Sequence, residues 1–140
     1  GKEYAVDRAL LIAEKLTSLP ILVNLGGDLA ANKPRQENTP WQVGIEHPGF
    51  IDRKPMVVSL LSGALATSGD AKRFLLRNNI RYSHILNAKT GWPVAQAPRS
   101  ITVVAPQCIQ AGILATLALM QGENAETFLS EQEIKFWAIR

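Results

Sequence analysis

Between residues 4 and 18, Val6, Leu10, Leu11, Ala13 and Leu16 recur near helical spacing, which predicts an amphipathic helix ended by Pro20. Ile21 to Leu25 is a short apolar run of strand type, broken by the turn residues Gly26-Gly27-Asp28. Residues 32–40 are polar with two prolines and read as an exposed loop. Trp41 to Glu46 alternates like a strand, residues 47–55 form a loop around Pro48, Gly49 and Pro55, and Met56 to Leu65 reads as one β-branched and leucine-rich strand. Residues 71–77 and 80–86 predict a hairpin around Asn78-Asn79, because asparagine enters the left-handed region that a tight hairpin turn needs. Asn87 to Pro98 is a long irregular loop, with His84 partly exposed at its base, and Ser100 to Ala105 is a strand stopped by Pro106. Residues 108–121 form the most hydrophobic helix, expected to lie on a sheet by its Ile113, Leu114 and Leu117 face and to end at Gly122. A short helix over 123–131 and a strand from Ile134 to Ile139 complete the pattern. The order is one helix, five or six strands, two helices and a strand. Strands in runs, rather than alternating with helices, predict an α+β fold in which helices pack a mainly antiparallel sheet.

Composition narrows the class. The 140 residues are 46% hydrophobic, which suits one globular domain with a real core. The net charge of +3 is scattered: Arg73, Arg77, Arg81 and Lys89 are interleaved with apolar residues, as a solvated rim or a local anion site would be. No basic stripe with interleaved aromatics points to nucleic acid. The single cysteine, Cys108, excludes an internal disulfide and reads as a buried small hydrophobe rather than a nucleophile. No apolar run reaches membrane-spanning length. The start Gly1-Lys2, without an initiator Met, reads as trimmed, so the lack of a signal peptide carries no weight.

Three segments carry candidate chemistry. In Tyr82 to Pro93, His84 ends a strand and opens a polar loop with Gly91 and Pro93. An imidazole near its ordinary pKa takes a proton from a hydroxyl at neutral pH; an edge-strand surface histidine is the plainer reading. On the apolar helix, Gly112 and Thr116 stand four apart on one face and leave a small polar notch. Close helix–sheet packing, with Thr116 bonded back to a helix carbonyl, explains the same pattern. Leu25-Gly26-Gly27-Asp28 is too short for a dinucleotide fingerprint and reads as turn glycines.

In order and spacing, these segments resemble the ApbE-type flavin transferases across essentially the whole chain. Gly1 to Asp7 is similar to a Lys-Gly-Tyr-Ala-x-Asp segment, and Val23-Asn24-Leu25-Gly26-Gly27-Asp28 to an Asn-x-Gly-Gly-Asp turn. Ala66-Thr67-Ser68-Gly69-Asp70 is similar to a Thr-Ser-Gly-Asp segment, and Ser83 to Pro93 to a Ser-His-Ile-x-Asp-Pro-x-Thr-Gly-x-Pro loop. Ala111 to Thr116 falls where that family has an Asp-x-x-x-Thr metal helix. The resemblance implies a magnesium-dependent FAD:protein FMN transferase, which moves FMN from FAD to a Ser or Thr hydroxyl of an acceptor flavoprotein while AMP leaves. It implies that Lys2, Asp7, His84, Ile85, Leu86 and Thr90 contact the flavin nucleotide, Leu86 by its backbone. By the same resemblance His84 is the base and Thr116 a magnesium ligand. It further implies a longer protein of which residues 1–140 are the C-terminal portion, the N-terminal half being absent, and a periplasmic or membrane-tethered setting.

The chain departs from the family pattern at the metal. The metal-binding Asp falls on Gly112 and a second acidic position on Ala115, so weak or absent magnesium is expected, with Asp28 and Asp70 as replacement carboxylates to examine first and Gly112→Asp expected to strengthen binding. Asn87-Ala88 replaces Asp-Pro in the histidine loop. A catalytically degenerate flavin-binding or target-docking module of the same fold is the alternative reading.

Overall fold

The computed structural model describes residues 1–46, 56–70 and 74–140. Helix α1 (Lys2–Leu16) leads into strand β1 (Leu22–Leu25), which turns directly into β2 (Asp28–Ala31). Gly26 and Gly27 both take positive φ, +64° and +97°, the pair of left-handed residues that a two-residue hairpin turn requires. The turn glycines are therefore as expected, but the strand after them is additional. A Gly-Gly pair between apolar runs is a hairpin signature. Strands β3 (Trp41–Ile45) and β4 (Met56–Leu60) form an antiparallel ribbon, with the expected 47–55 loop between them outside the described residues.

The single strand expected over Met56 to Leu65 is two. After Leu61-Ser62 the chain enters β5 (Gly63–Gly69), which belongs to a different sheet. Gly63 has φ +95°, and a Cβ there would meet the Ala105 carbonyl oxygen at 3.1 Å, so glycine is needed at this transfer point. Hairpin β6 (Phe74–Arg77) and β7 (Ile80–Ser83) turns on Asn78 and Asn79, both left-handed as expected; residues 71–73, with Arg73, lie outside the described residues. Strand β8 (Ser100–Ala105), helices α2 (Cys108–Met120) and α3 (Ala125–Ser130), and strand β9 (Phe136–Ile139) follow.

The main sheet is antiparallel throughout, in the order β1-β2-β5-β8-β9. Alternation sorts its side chains to two faces. Ala30, Ala64, Ala66, Ile101 and Val103 face a core shared with Val6 of α1, Cys108, Ala111, Ala115 and Leu119 of α2, and Leu129 of α3. Leu29, Ala31 and Leu65 face the other way, onto Val43, Ile45, Val58 and Leu60 of the β3–β4 ribbon. The α+β class and the antiparallel sheet are thus as the strand runs predict. The face of α2 is not. Ile113 and Leu117 are 53% and 42% exposed, while Ala111, Ala115 and Ala118 are fully buried. The sheet face opposite α2 is itself built on alanines, and small residues on both surfaces let helix and sheet approach closely. Ile109, Ile113, Leu117 and Met120 are turned outward, while Leu114 of the expected face packs half-buried against the helix-side core and Leu119 is buried.

Candidate active site

The first two turns of α1 carry Lys2, Glu3 and Asp7 toward the sheet and α2. The Lys2 ammonium pairs with Asp28 Oδ2 at 2.9 Å and donates to the Gly26 carbonyl at 3.3 Å. Asp28 opens β2 and is only 4% exposed, so it depends on this partner. Its other oxygen accepts the Thr67 N–H at 3.4 Å. Asp7 stands at the start of α2, where its two oxygens accept the Cys108 and Ile109 N–H groups at 2.8 and 2.9 Å. A residue distant in sequence thereby caps a helix whose own Gln107 offers no cap. A nucleotide contact at Asp7 would compete with these two bonds.

Thr116 does not bond back along its helix. Its hydroxyl meets Ser68 Oγ of β5 at 2.9 Å, which joins the middle of α2 to the end of the sheet. One turn earlier, Gly112 is buried. A Cβ at Gly112 would lie 2.7 Å from Glu3 Cγ and 3.0 Å from Glu3 Oε1. The notch seen in the sequence is therefore real, and the Glu3 side chain fills it. Nearby, the Cys108 thiol is pushed up to about 12 by burial first, then by the negative field of Asp28, Asp7 and Glu3. It is a protonated core residue, as its setting before an apolar run predicts.

His84 is exposed at the end of β7. The following loop is irregular but tied. Asn87 accepts the Gly91 N–H at 2.8 Å and donates its own N–H to Trp92 O at 2.8 Å, while its side chain accepts the Lys89 N–H at 2.9 Å. Asparagine here makes the local turn that an aspartate makes. Val94 donates to Ile85 O, and Leu86 pairs with Pro93, closing the loop on itself. Leu86 and Thr90 are exposed, whereas Ile85 packs against the helix-side core. A cavity of about 390 Å³ lies beside this loop, lined by Arg81, Tyr82, Ile85, Trp92, Arg99 and Leu119 among others. Arg81 within it is held by Asp70, to which it donates at 3.1 Å, and by the Phe74 ring at 3.6 Å.

The fold thus brings Lys2, Thr116 and Asp7 to the α1–α2–sheet junction. Ile85, Leu86, Thr90 and His84 lie together on the adjoining loop. Asp70, one of the replacement carboxylates considered from sequence, is taken by Arg81, and Asp28 by Lys2. Glu3 and Ser68 escaped the sequence reading as site residues. The available sign was that Glu3 stands where the similar segment has glycine. Among the described residues no three His, Cys, Asp or Glu side chains cluster as a metal site. No described helix is long and apolar enough to cross a membrane.

An antiparallel sheet with three helices packed on one face and the β3–β4 ribbon on the other defines a layered α+β class of domain. The chain belongs to the ApbE family, which it matches over residues 1–138. It is 31% identical over 134 residues to the FAD:protein FMN transferase of Haemophilus influenzae, covering 94% of this chain and 39% of that protein. The FAD:protein FMN transferase of Vibrio cholerae is likewise 31% identical, with 94% and 40% covered. The crystal structure of the ApbE protein of Thermotoga maritima superposes with a TM-score of 0.84 at 31% identity, over 98% of this chain and 45% of that one. The apo flavinyl transferase ApbE of Pseudomonas stutzeri gives 0.84 at 27% identity, over 100% and 44%. The chain spans about two fifths of the length of these curated relatives.

Proposed function

We propose that this chain is the C-terminal portion of an FAD:protein FMN transferase. The observation that carries the reading is convergence. Lys2, Asp28, Ser68 and Thr116 come from four segments far apart in sequence, each matching a motif of the family, and they meet at one junction of α1, β2, β5 and α2. In the proposed reaction the hydroxyl oxygen of an acceptor Ser or Thr attacks the phosphorus on the FMN side of the FAD pyrophosphate. The new O–P bond forms as the bond to AMP breaks, and AMP leaves. His84, exposed at the mouth of its loop, takes the hydroxyl proton. The backbone of the Ile85–Thr90 loop holds the flavin end. Lys2 donates N–H hydrogen bonds to the phosphates, its ammonium held in place from behind by Asp28.

Magnesium would supply charge neutralisation at the pyrophosphate oxygens. Thr116 and Ser68 offer hydroxyl oxygens for it. The Glu3 side chain lies in the space a Cβ would fill at Gly112, so α1 and α2 would offer one carboxylate and β5 and α2 two hydroxyls, and the pyrophosphate and water would have to complete the roughly six oxygens the ion takes. The test is incubation of the full-length protein with FAD, magnesium and a flavoprotein acceptor, followed by in-gel flavin fluorescence. Covalent fluorescence on the acceptor, lost in His84→Ala and on chelation, supports the reading. Gly112 favours a second reading, a degenerate flavin-binding module. FAD binding by calorimetry without any transfer would establish that alternative.

A further inference from the structure

We propose that Glu3 supplies the carboxylate of a divalent-cation site on α2, in the space that Gly112 leaves open and with the Thr116 and Ser68 hydroxyls beside it. The inference rests on the transferase reading for the identity of the cation.

Three observations carry it. The first is steric. A side chain at position 112 would collide with Glu3 at 2.7 Å from Cγ, so Glu3 can lie against α2 only because residue 112 is glycine. The second is the state of the neighbouring carboxylates. Asp7 is committed to two backbone N–H groups and Asp28 to Lys2 and the Thr67 N–H. Glu3 makes no side-chain hydrogen bond among the described residues; the Gly1 nitrogen is 3.8 Å away. Its side chain is 32% exposed, enough for a ligand to reach it. The third is placement. Glu3 Oε1 lies 3.0 Å from the position of a 112 Cβ, on the same face as Thr116 and one turn before it. The Thr116–Ser68 hydroxyl pair adds two neutral oxygens on that face. Relative to the similar motifs, a carboxylate lost at position 112 reappears at position 3, and the two positions are in contact.

The test is titration of the full-length protein, with FAD bound and no acceptor present, with Mg²⁺ by calorimetry and Mn²⁺ by electron paramagnetic resonance. Glu3→Gln keeps the shape and removes the charge. It should weaken cation affinity by about tenfold or more, with FAD affinity in chelator and thermal midpoint unchanged. The reciprocal exchange Glu3→Gly with Gly112→Asp should return affinity to within a few-fold of the unmodified protein. Unchanged cation affinity in Glu3→Gln, no cation binding by the unmodified protein, or no recovery in the exchange variant would each overturn the proposal. Cation binding through Glu3 without FMN transfer would instead fail the transferase reading alone, and transfer with normal cation affinity in Glu3→Gln would fail only this inference.

Discussion

At the residue scale, the site is assembled by charges that hold structural partners. Asp7 shows it most clearly. Its two carboxylate oxygens satisfy the first two N–H groups of α2, which otherwise end in a buried region without a local cap. An N-capping carboxylate also complements the positive end of the helix. Asp7→Ala should therefore lower stability by about 1–2 kcal/mol, read as a shift of the urea midpoint at constant slope. Asp7→Asn, which keeps one acceptor, should recover part of it. A stability equal to that of the unmodified chain would show that the cap contributes nothing. Lys2 and Asp28 follow the same logic: the buried carboxylate is tolerated because a cation reaches it.

At the element scale, α2 decides how closely the site residues meet. Its sheet-facing side is Cys108, Ala111, Gly112, Ala115, Ala118 and Leu119, and its outer side carries Ile109, Ile113, Leu117 and Met120. The small side allows the approach that brings Thr116 to Ser68. Enlarging it should force helix and sheet apart. Ala115→Leu is expected to cost about 1–3 kcal/mol by overpacking, whereas Ile113→Ala should stay within roughly 0.5 kcal/mol, both read by chemical denaturation. The opposite ranking would restore Ile113 and Leu117 to the buried face. Hydropathy alone points to the Ile113–Leu114–Leu117 face, because it holds the larger side chains. Steric fit against an alanine-rich sheet selects the other.

At the scale of the whole molecule, Arg140 ties the chain end back to the body. Its guanidinium donates to both oxygens of Glu126 at 2.8 and 2.6 Å, to Gln96 O at 2.8 Å and to Glu123 O at 3.1 Å. This joins the end of β9 to α3 and to the loop beside the cavity. The hydrogen bond from Arg140 holds the Glu126 carboxyl below its ordinary value of 4.5. A depressed carboxylate contributes stability above its unfolded pKa and loses it as pH falls through the folded value. The unmodified chain should thus lose stability in acid from about pH 4.5 downward, and Arg140→Ala should flatten that part of the profile. Thermal melts between pH 3 and 7 would read it; parallel profiles for the two proteins would refute the assignment.

Periodicity and turn chemistry alone determined much of this protein. The long helices, the Asn78-Asn79 hairpin, strand β8 and the α+β class follow from local spacing, because each element buries one face and needs special residues where it turns. Cys108 was legible as a core thiol for the same reason. The split of Met56 to Leu65 into two strands was not, since the apolar run is continuous and only the contact of Gly63 with the Ala105 carbonyl marks the transfer between sheets. Strand β2 was obscured because Asp28 and two alanines lack the β-branched signature, and its pairing on both sides makes it a strand. The motif residues of the candidate site could be named from sequence, but their partners could not. That Asp7 caps α2, that Ser68 meets Thr116 and that Glu3 fills the space over Gly112 depend on elements separated by about fifty to a hundred residues. Only packing of α1 and α2 on the sheet sets those distances, because hydrophobic spacing states which face is buried and never which neighbour it is buried against.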